Sequence, residues 1–241
     1  MKIILLLLTF LFSQSLSANV IINATRVIFM SDKKEVSLKI DNSNPYPVLV
    51  QTWVDNGDSK LTAKASNTPF TILPPIFRME TKQGQVLRIM YNGEKLPDNR
   101  ESIFWVNVFE VPPKDKNAAN VNSIQLAFRS RIKLFFRPVT LKTPSTDLLA
   151  ESMSCSLGKG TQESVFRCSN NSGYFISFSK LILKNNNKNY PLPLENVGMI
   201  PPFKSVETKV NGIIPGNYEL FASIINDQGG VIEKKIKVTY E

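Results

Sequence analysis

Apolar residues along this chain recur at every second position and fall nowhere into a sustained helical spacing. The longest example is residues 124–138, I-Q-L-A-F-R-S-R-I-K-L-F-F-R-P. Ile124, Leu126, Phe128, Ile132, Leu134 and Phe136 share one parity, broken only by Ser130. The other parity carries Gln125, Arg129, Arg131, Lys133 and Arg137, with Ala127 and Phe135 as exceptions. A period of two over this length predicts a long β-strand with one apolar face. Strands usually run five or six residues, so part of this face is available for something beyond the chain's own core.

Other segments read the same way. Val36, Leu38 and Ile40 alternate before the turn-forming D-N-S-N-P at 41–45, and residues 48–54 form a β-branched run containing Trp53. Strands are predicted over 70–73, 85–91 and 104–111, the first and last ending at Pro-Pro pairs. Residues 139–147 read as a linker, with a turn over 145–152, and shorter strands resume at 164–168, 174–183, 218–225 and 231–240. The last two are joined by N-D-Q-G-G, a hairpin signal. Short strands and regular turns without βα alternation predict an all-β protein of two β-sandwiches meeting near residue 140.

The first seventeen residues have the form of a secretory signal: Lys2, an apolar run over 3–12, and a small, polar end with Ser15 and Ser17 before the expected cut. No later segment approaches the roughly 18 apolar residues of a membrane span, so an exported, soluble mature chain with no membrane insertion is expected. The net charge of +9 is spread in pairs such as Lys33-Lys34 and Lys234-Lys235, which describes a solvated basic surface. No nucleic-acid-binding motif is present. Cys155 and Cys168 are the only cysteines, and in an oxidising compartment they are expected to form a disulfide worth about 3 kcal/mol. The chain has no histidine, which excludes Ser-His-Asp and Cys-His chemistry and every histidine-based metal site. Neither an enzyme nor a metal or cofactor is implied.

A series of ordered blocks carries a more specific reading. They are T-R-V-I-F at 25–29, Asn42 with N-P-Y-P-V-L-V-Q-T-W at 44–53, P-P-I-F-R at 74–78 and G-Q-V-L-R-I at 84–89. Then come R-E-S-I-F-W-V-N at 100–107 with Pro112-Pro113, and I-K-L-F-F-R-P at 132–138. Together they resemble the periplasmic pilus-assembly chaperones, the PapD-like family, over nearly the whole mature chain. The second half is looser: N-S-G-Y-F at 171–175 stands where the family has a proline-rich run, and 226–230 matches its late turn.

The resemblance implies two immunoglobulin-like domains in an L or boomerang arrangement, residues 18–140 and 141–241, with a cleft between them. Such chaperones hold fimbrial or pilus subunits that lack their last strand, filling the open groove with a strand of their own, and pass them to an outer-membrane usher. Chaperone–pilin pairing of this kind is an established case of recognition by strand addition. By this resemblance Ile124, Leu126 and Phe128 are the donor positions, although alternation alone would make them an ordinary core face. Ile132, Leu134 and Phe136 stay with the core reading. Arg26 and Lys133, each an unremarkable surface cation by itself, match the residues that grip the subunit's C-terminal carboxylate. Strict alternation puts Lys133 on the face opposite Leu126, so a twist or bulge is expected to turn it into the cleft. Glu101, Arg137 and Asp227 match a charge cluster that sets the angle between domains. The loop over 114–123 is short and lacks cysteine, as in the short-loop class. Pairing of two copies would be one way for the free protein to cap its apolar strand.

Other readings compete. A secreted two-domain immunoglobulin-like adhesion module would present aromatic residues on loops, whereas the exposed candidates here lie on a strand. A pilus subunit would carry an alternating segment just after its signal, and residues 18–25 are too short and irregular for one. A hydrolase lacks its residues.

Overall fold

The computed structural model describes residues 19–114, 125–158, 164–185, 188–213 and 216–240. The signal sequence, Ile124 and nearly all of the 114–123 loop lie outside them.

Two sheets build the first half. One has the order β1 (Val20–Ile22), β3 (Glu35–Asn42), β7 (Gly84–Tyr91), β5 (Phe70–Leu73). The other has the order β2 (Arg26–Met30), β9 (Phe128–Arg137), β8 (Ser102–Val111), β4 (Val48–Asp55), β6 (Ile76–Met79). Inward parities meet in one core: Phe29, Ile40, Val50, Leu87, Ile89, Val106 and Leu134 are completely buried. Phe29, Phe70, Tyr91, Phe104 and Phe136 add an aromatic cluster whose neighbouring ring centroids lie 4.7–6.2 Å apart.

The second half has its own core, around Leu157, Phe166, Ile176, Leu183, Leu220 and Ile224. Strands β13 (Lys188–Pro191), β12 (Ile176–Asn185), β16 (Tyr218–Ile225) and β17 (Val231–Tyr240) lead on to β10 (Met153–Gly158), β11 (Ser164–Asn170) and β15 (Ser205–Val210). Three parallel pairs, Cys155↔Val238 to Leu157↔Tyr240, join these into one hydrogen-bonded path; β14 (Met199–Ile200) pairs with β12. The 145–152 turn is a helix, α1 (Thr146–Glu151), capped by Ser145 Oγ accepting from the Leu148 amide. A second short helix, α2 (Leu194–Val197), gives no periodic signal because it is a single turn. Cys155 and Cys168 face each other across β10 and β11 and form the expected disulfide.

One local device occurs in both halves. Asn42, 1 % exposed at the end of β3, donates its side-chain amide to the carbonyls of Tyr46, Met79 and Glu80 and accepts from the Asn44 amide. Asn170, also 1 % exposed at the end of β11, donates to the carbonyls of Tyr174, Ile200 and Pro201 and accepts from the Ser172 amide. Each satisfies backbone acceptors that a strand end leaves over. Asn170-Asn171-Ser172 also has the N-x-S form of a glycosylation sequence, but the enclosed Asn170 amide nitrogen serves the fold.

Strand β1 is tied down by Glu110, a buried residue whose Oε2 accepts from the Val20 amide at 2.6 Å. Burial pushes this carboxyl up, and the Val20 hydrogen bond only partly opposes it. The folded state thus holds the proton more tightly than the unfolded chain. Its contribution to stability is complete below the ordinary glutamate range and is lost as pH rises through the raised value. We expect Glu110→Gln to melt higher than the parent at about pH 8 and to match it near about pH 4, on either side of that range. Thermal melts at the two pH values check this; a lower Tm at the alkaline one would mean the charge itself is needed.

Candidate functional site

Strand β9 is paired unequally on its two sides. Along β8 it is paired from Glu110↔Phe128 to Ser102↔Phe136, whereas β2 accompanies it only from Arg26↔Lys133 to Met30↔Arg137. Residues 128–132 therefore have a partner on one side only, among the described residues. The strand begins at Phe128, four residues later than the alternation alone suggests. The reason lies opposite: β8 ends at Val111, and Pro112 and Pro113 have no N–H with which to continue the ladder. Gln125 Nε2 instead donates to the Pro112 and Pro113 carbonyls.

Burial along one parity of β9 is graded. Leu134 and Phe136 are buried in the first core, and Ile132 is partly covered against it. Phe128 and Leu126 are 46 % and 61 % exposed. The same side of one strand thus changes from core to open apolar surface just where its second hydrogen-bonding edge becomes free. An edge of this kind is a template for strand addition, which soluble proteins ordinarily blunt or cover.

Arg26 and Lys133 are register partners on the neighbouring strands β2 and β9. Arg26 Nη1 donates to the Ile225 carbonyl at 3.2 Å, and its guanidinium lies 5.6 Å from the centre of the Phe135 ring. Lys133 Nζ donates to Ser177 Oγ at 3.4 Å. Both acceptors belong to the second domain, so the cations lie in the junction between the domains. Neither makes an ion pair among the described residues, and Arg26 Nε is buried there without a hydrogen-bond acceptor. Burial lowers the pKa of both; the charges of Asp227 and Glu101 oppose it for Arg26, and the charge of Arg26 lowers Lys133 further. Two half-buried like charges with an unused donor form a site that an incoming carboxylate would complete. No register shift interrupts β8–β9 or β2–β9. A bulge is unnecessary, because Lys133, Phe135 and Arg137 on the odd-numbered face of β9 already reach residues of the second domain.

Glu101, Arg137 and Asp227 are together at the same junction. Arg137 Nε donates to Glu101 Oε1 at 2.7 Å, and Nη1 and Nη2 donate to the two Asp227 carboxylate oxygens at 2.7 and 2.8 Å. The other Glu101 oxygen accepts from the Phe175 amide at 2.8 Å, and Arg137 lies over the Tyr174 ring. Arg137 and Glu101 are 2 % and 4 % exposed. Burial pushes the Glu101 carboxyl up against the pull of Arg137; for Arg137, burial is outweighed by its two carboxylate partners, which hold it protonated.

The alternation does not single out a second polar network on the odd face: Asp55, Asn107, Arg129 and Arg131 with Trp53 and Trp105. Its signal was available in the pairing of two arginines on one strand with W-V-D at 53–55 and W-V-N at 105–107.

The comparisons agree with this architecture. Residues 19–142 match the family model described as pili and flagellar-assembly chaperone, PapD N-terminal domain. Residues 149–236 match that of the pili assembly chaperone PapD, C-terminal domain. The chain is 42 % identical over 228 residues to the probable fimbrial chaperone YadV of Escherichia coli, covering 92 % of this chain and 91 % of the relative. The crystal structure of YadV superposes with a TM-score of 0.76 at 37 % identity, covering 91 % of this chain and all of that one. A chain of the Salmonella enterica SafA pilin–SafB chaperone complex superposes with a TM-score of 0.70 at 26 % identity, over 93 % and 97 % of the two chains. With both domain models matched in order and a relative this similar over nearly its full length, the chain belongs to the PapD-like family of pilus-assembly chaperones.

Proposed function

We propose that this protein is a periplasmic fimbrial chaperone that binds pilus subunits and stabilises them by lending them a β-strand. The observation that carries this reading is the free edge of residues 128–132, with Leu126 and Phe128 exposed beside it and the Arg26–Lys133 pair at the end where β2 takes over. A subunit lacking one strand would pair with that edge, place Leu126 and Phe128 in its groove together with Ile124, and set its C-terminal carboxylate on Arg26 and Lys133. Each buried apolar side chain contributes roughly 1.5–3 kcal/mol before association costs. The charged anchor fixes where pairing starts.

The same reading extends to the protein's circumstances. The leader over 1–17 carries it to the periplasm, and the subunit passes from it to an outer-membrane usher. The domain boundary falls at 140/141. Glu101, Arg137 and Asp227 hold the angle between the domains, the short, cysteine-free sequence over 114–123 supports membership of the short-loop class, and two free copies cap each other's exposed strand.

Arg26→Ala or Lys133→Ala is expected to weaken subunit capture about 10–100-fold, from roughly 1.5–3 kcal/mol for a hydrogen bond to a charged group. The measurement is recovery of the subunit that co-purifies with the full chain from periplasmic extracts, identified by mass spectrometry. Undiminished recovery with both variants would remove the anchor role.

A further inference from the structure

An extended segment bonded on one side, beyond the last residue its neighbour can pair with, ought to fray. Residues 128–132 are instead fastened from their odd-numbered face. Asp55, at the far end of β4, is completely buried although it sits on the outer side of the sheet. It accepts from Arg131 Nη2 at 2.6 Å, Arg129 Nη2 at 3.2 Å, Asn107 Nδ2 at 2.7 Å and the Gly57 amide at 2.8 Å. Arg129 also donates from Nε to Asn107 Oδ1 at 2.8 Å and from Nη1 to the Ser59 carbonyl at 2.7 Å.

The two guanidinium groups lie over aromatic rings, Arg129 at 4.6 Å from Trp53 and Arg131 at 5.5 Å from Trp105. Strand β8 separates β4 from β9, so this network crosses two strand spacings, about 10 Å, which calls for a long, forked donor. Gly57 shapes the turn above it: its φ of +113° suits glycine, and a Cβ there would lie 3.2 Å from the Trp105 ring. Burial alone would raise the Asp55 carboxyl, but hydrogen bonds from Asn107, Arg131 and Gly57 and the charge of Arg131 outweigh it and keep it ionised.

We infer that Asp55 is a positioning residue for strand donation: through Arg129 and Arg131 it holds residues 128–132 extended and in register before any subunit arrives. This rests on the strand-lending reading above. A subunit groove then meets a finished strand, and the ordering cost is met by the chaperone's own fold rather than by the encounter.

The test is hydrogen–deuterium exchange of the free, full-length protein. In Asp55→Asn, those amides of residues 128–132 that bond to β8 should exchange about tenfold faster or more, equivalent to about 1.4 kcal/mol. Those of β3, β7 and the second domain should keep their rates. Arg129→Met combined with Arg131→Met should reproduce the effect, and decides by the same criterion if Asp55→Asn does not fold. Unchanged exchange over 128–132, or an equal rise across the whole first domain, overturns the inference.

Capture of the co-purifying subunit by Asp55→Asn should fall about tenfold, whereas Lys133→Ala should weaken capture with its exchange unaltered. If Leu126→Glu still captured subunit, the strand-lending reading itself would fail, and the inference would fall with it. Loss of capture in Leu126→Glu together with unaltered exchange in Asp55→Asn would overturn the inference alone.

Discussion

Leu126→Glu is expected to abolish subunit recovery while the free protein melts within about 2 °C of the parent, as befits an exposed site. Leu126 is 61 % exposed and lies before the first paired residue of β9, so the free protein has nothing to lose there. In a complex the same position would put a carboxylate into an apolar groove, where an unpaired charge costs several kcal/mol or takes up a proton. Leu134→Glu is the matching control: same strand, same parity, but completely buried, and it should prevent folding altogether. Subunit capture together with native-like melting for Leu126→Glu would show that the client docks elsewhere. Collapse of folding would return Leu126 to the core.

Arg137→Met should lower the stability of the free protein by about 3–5 kcal/mol, the cost of breaking a buried ion pair from one side. The methionine would fill much of the space, but Glu101 would keep a buried carboxylate whose one remaining hydrogen-bond donor among the described residues is the Phe175 amide, and Asp227 would lose a two-pronged partner. Urea denaturation gives the number. Adding Glu101→Gln should restore part of the loss, because the orphaned charge disappears. A change under about 1 kcal/mol, the scale of an exposed pair, would mean that water reaches the cluster and that it holds nothing in place.

How far the sequence reached depended on whether a feature is local. Alternation over 85–91, 104–111 and 218–225 identifies strands because each has one buried face and enough residues to repeat the pattern. Strands such as Val20–Ile22, Lys188–Pro191 and Met199–Ile200 have two to four residues, too few for any period to show, and exist because a longer neighbour pairs with them. The alternation that runs through β9 extends from Leu126 to Phe136 with Ser130 as its one break, yet its ends differ completely in burial. One serine in such a pattern does not say where a core stops; the neighbouring Pro112-Pro113 pair does. Arg26 and Lys133 are ordinary cations until β2 runs parallel to β9 and brings residues over a hundred positions apart into register. Asp55 is the extreme case: an acid near a turn reads as solvated, and the weak hint in W-V-D, W-V-N and two arginines gains meaning once the sheet order sets those segments side by side.

The twin asparagine corners carry a consequence for ageing of the protein. Hydrolysis of either side-chain amide would turn a donor into an anion aimed at three carbonyl oxygens, at Asn42 or at Asn170. Since each domain closes on its own corner around its own core, such chemical damage would open one half and spare the other. A worn molecule would then keep either its lending strand or its disulfide-bridged half intact, with the sound half still folded beside a loosened one.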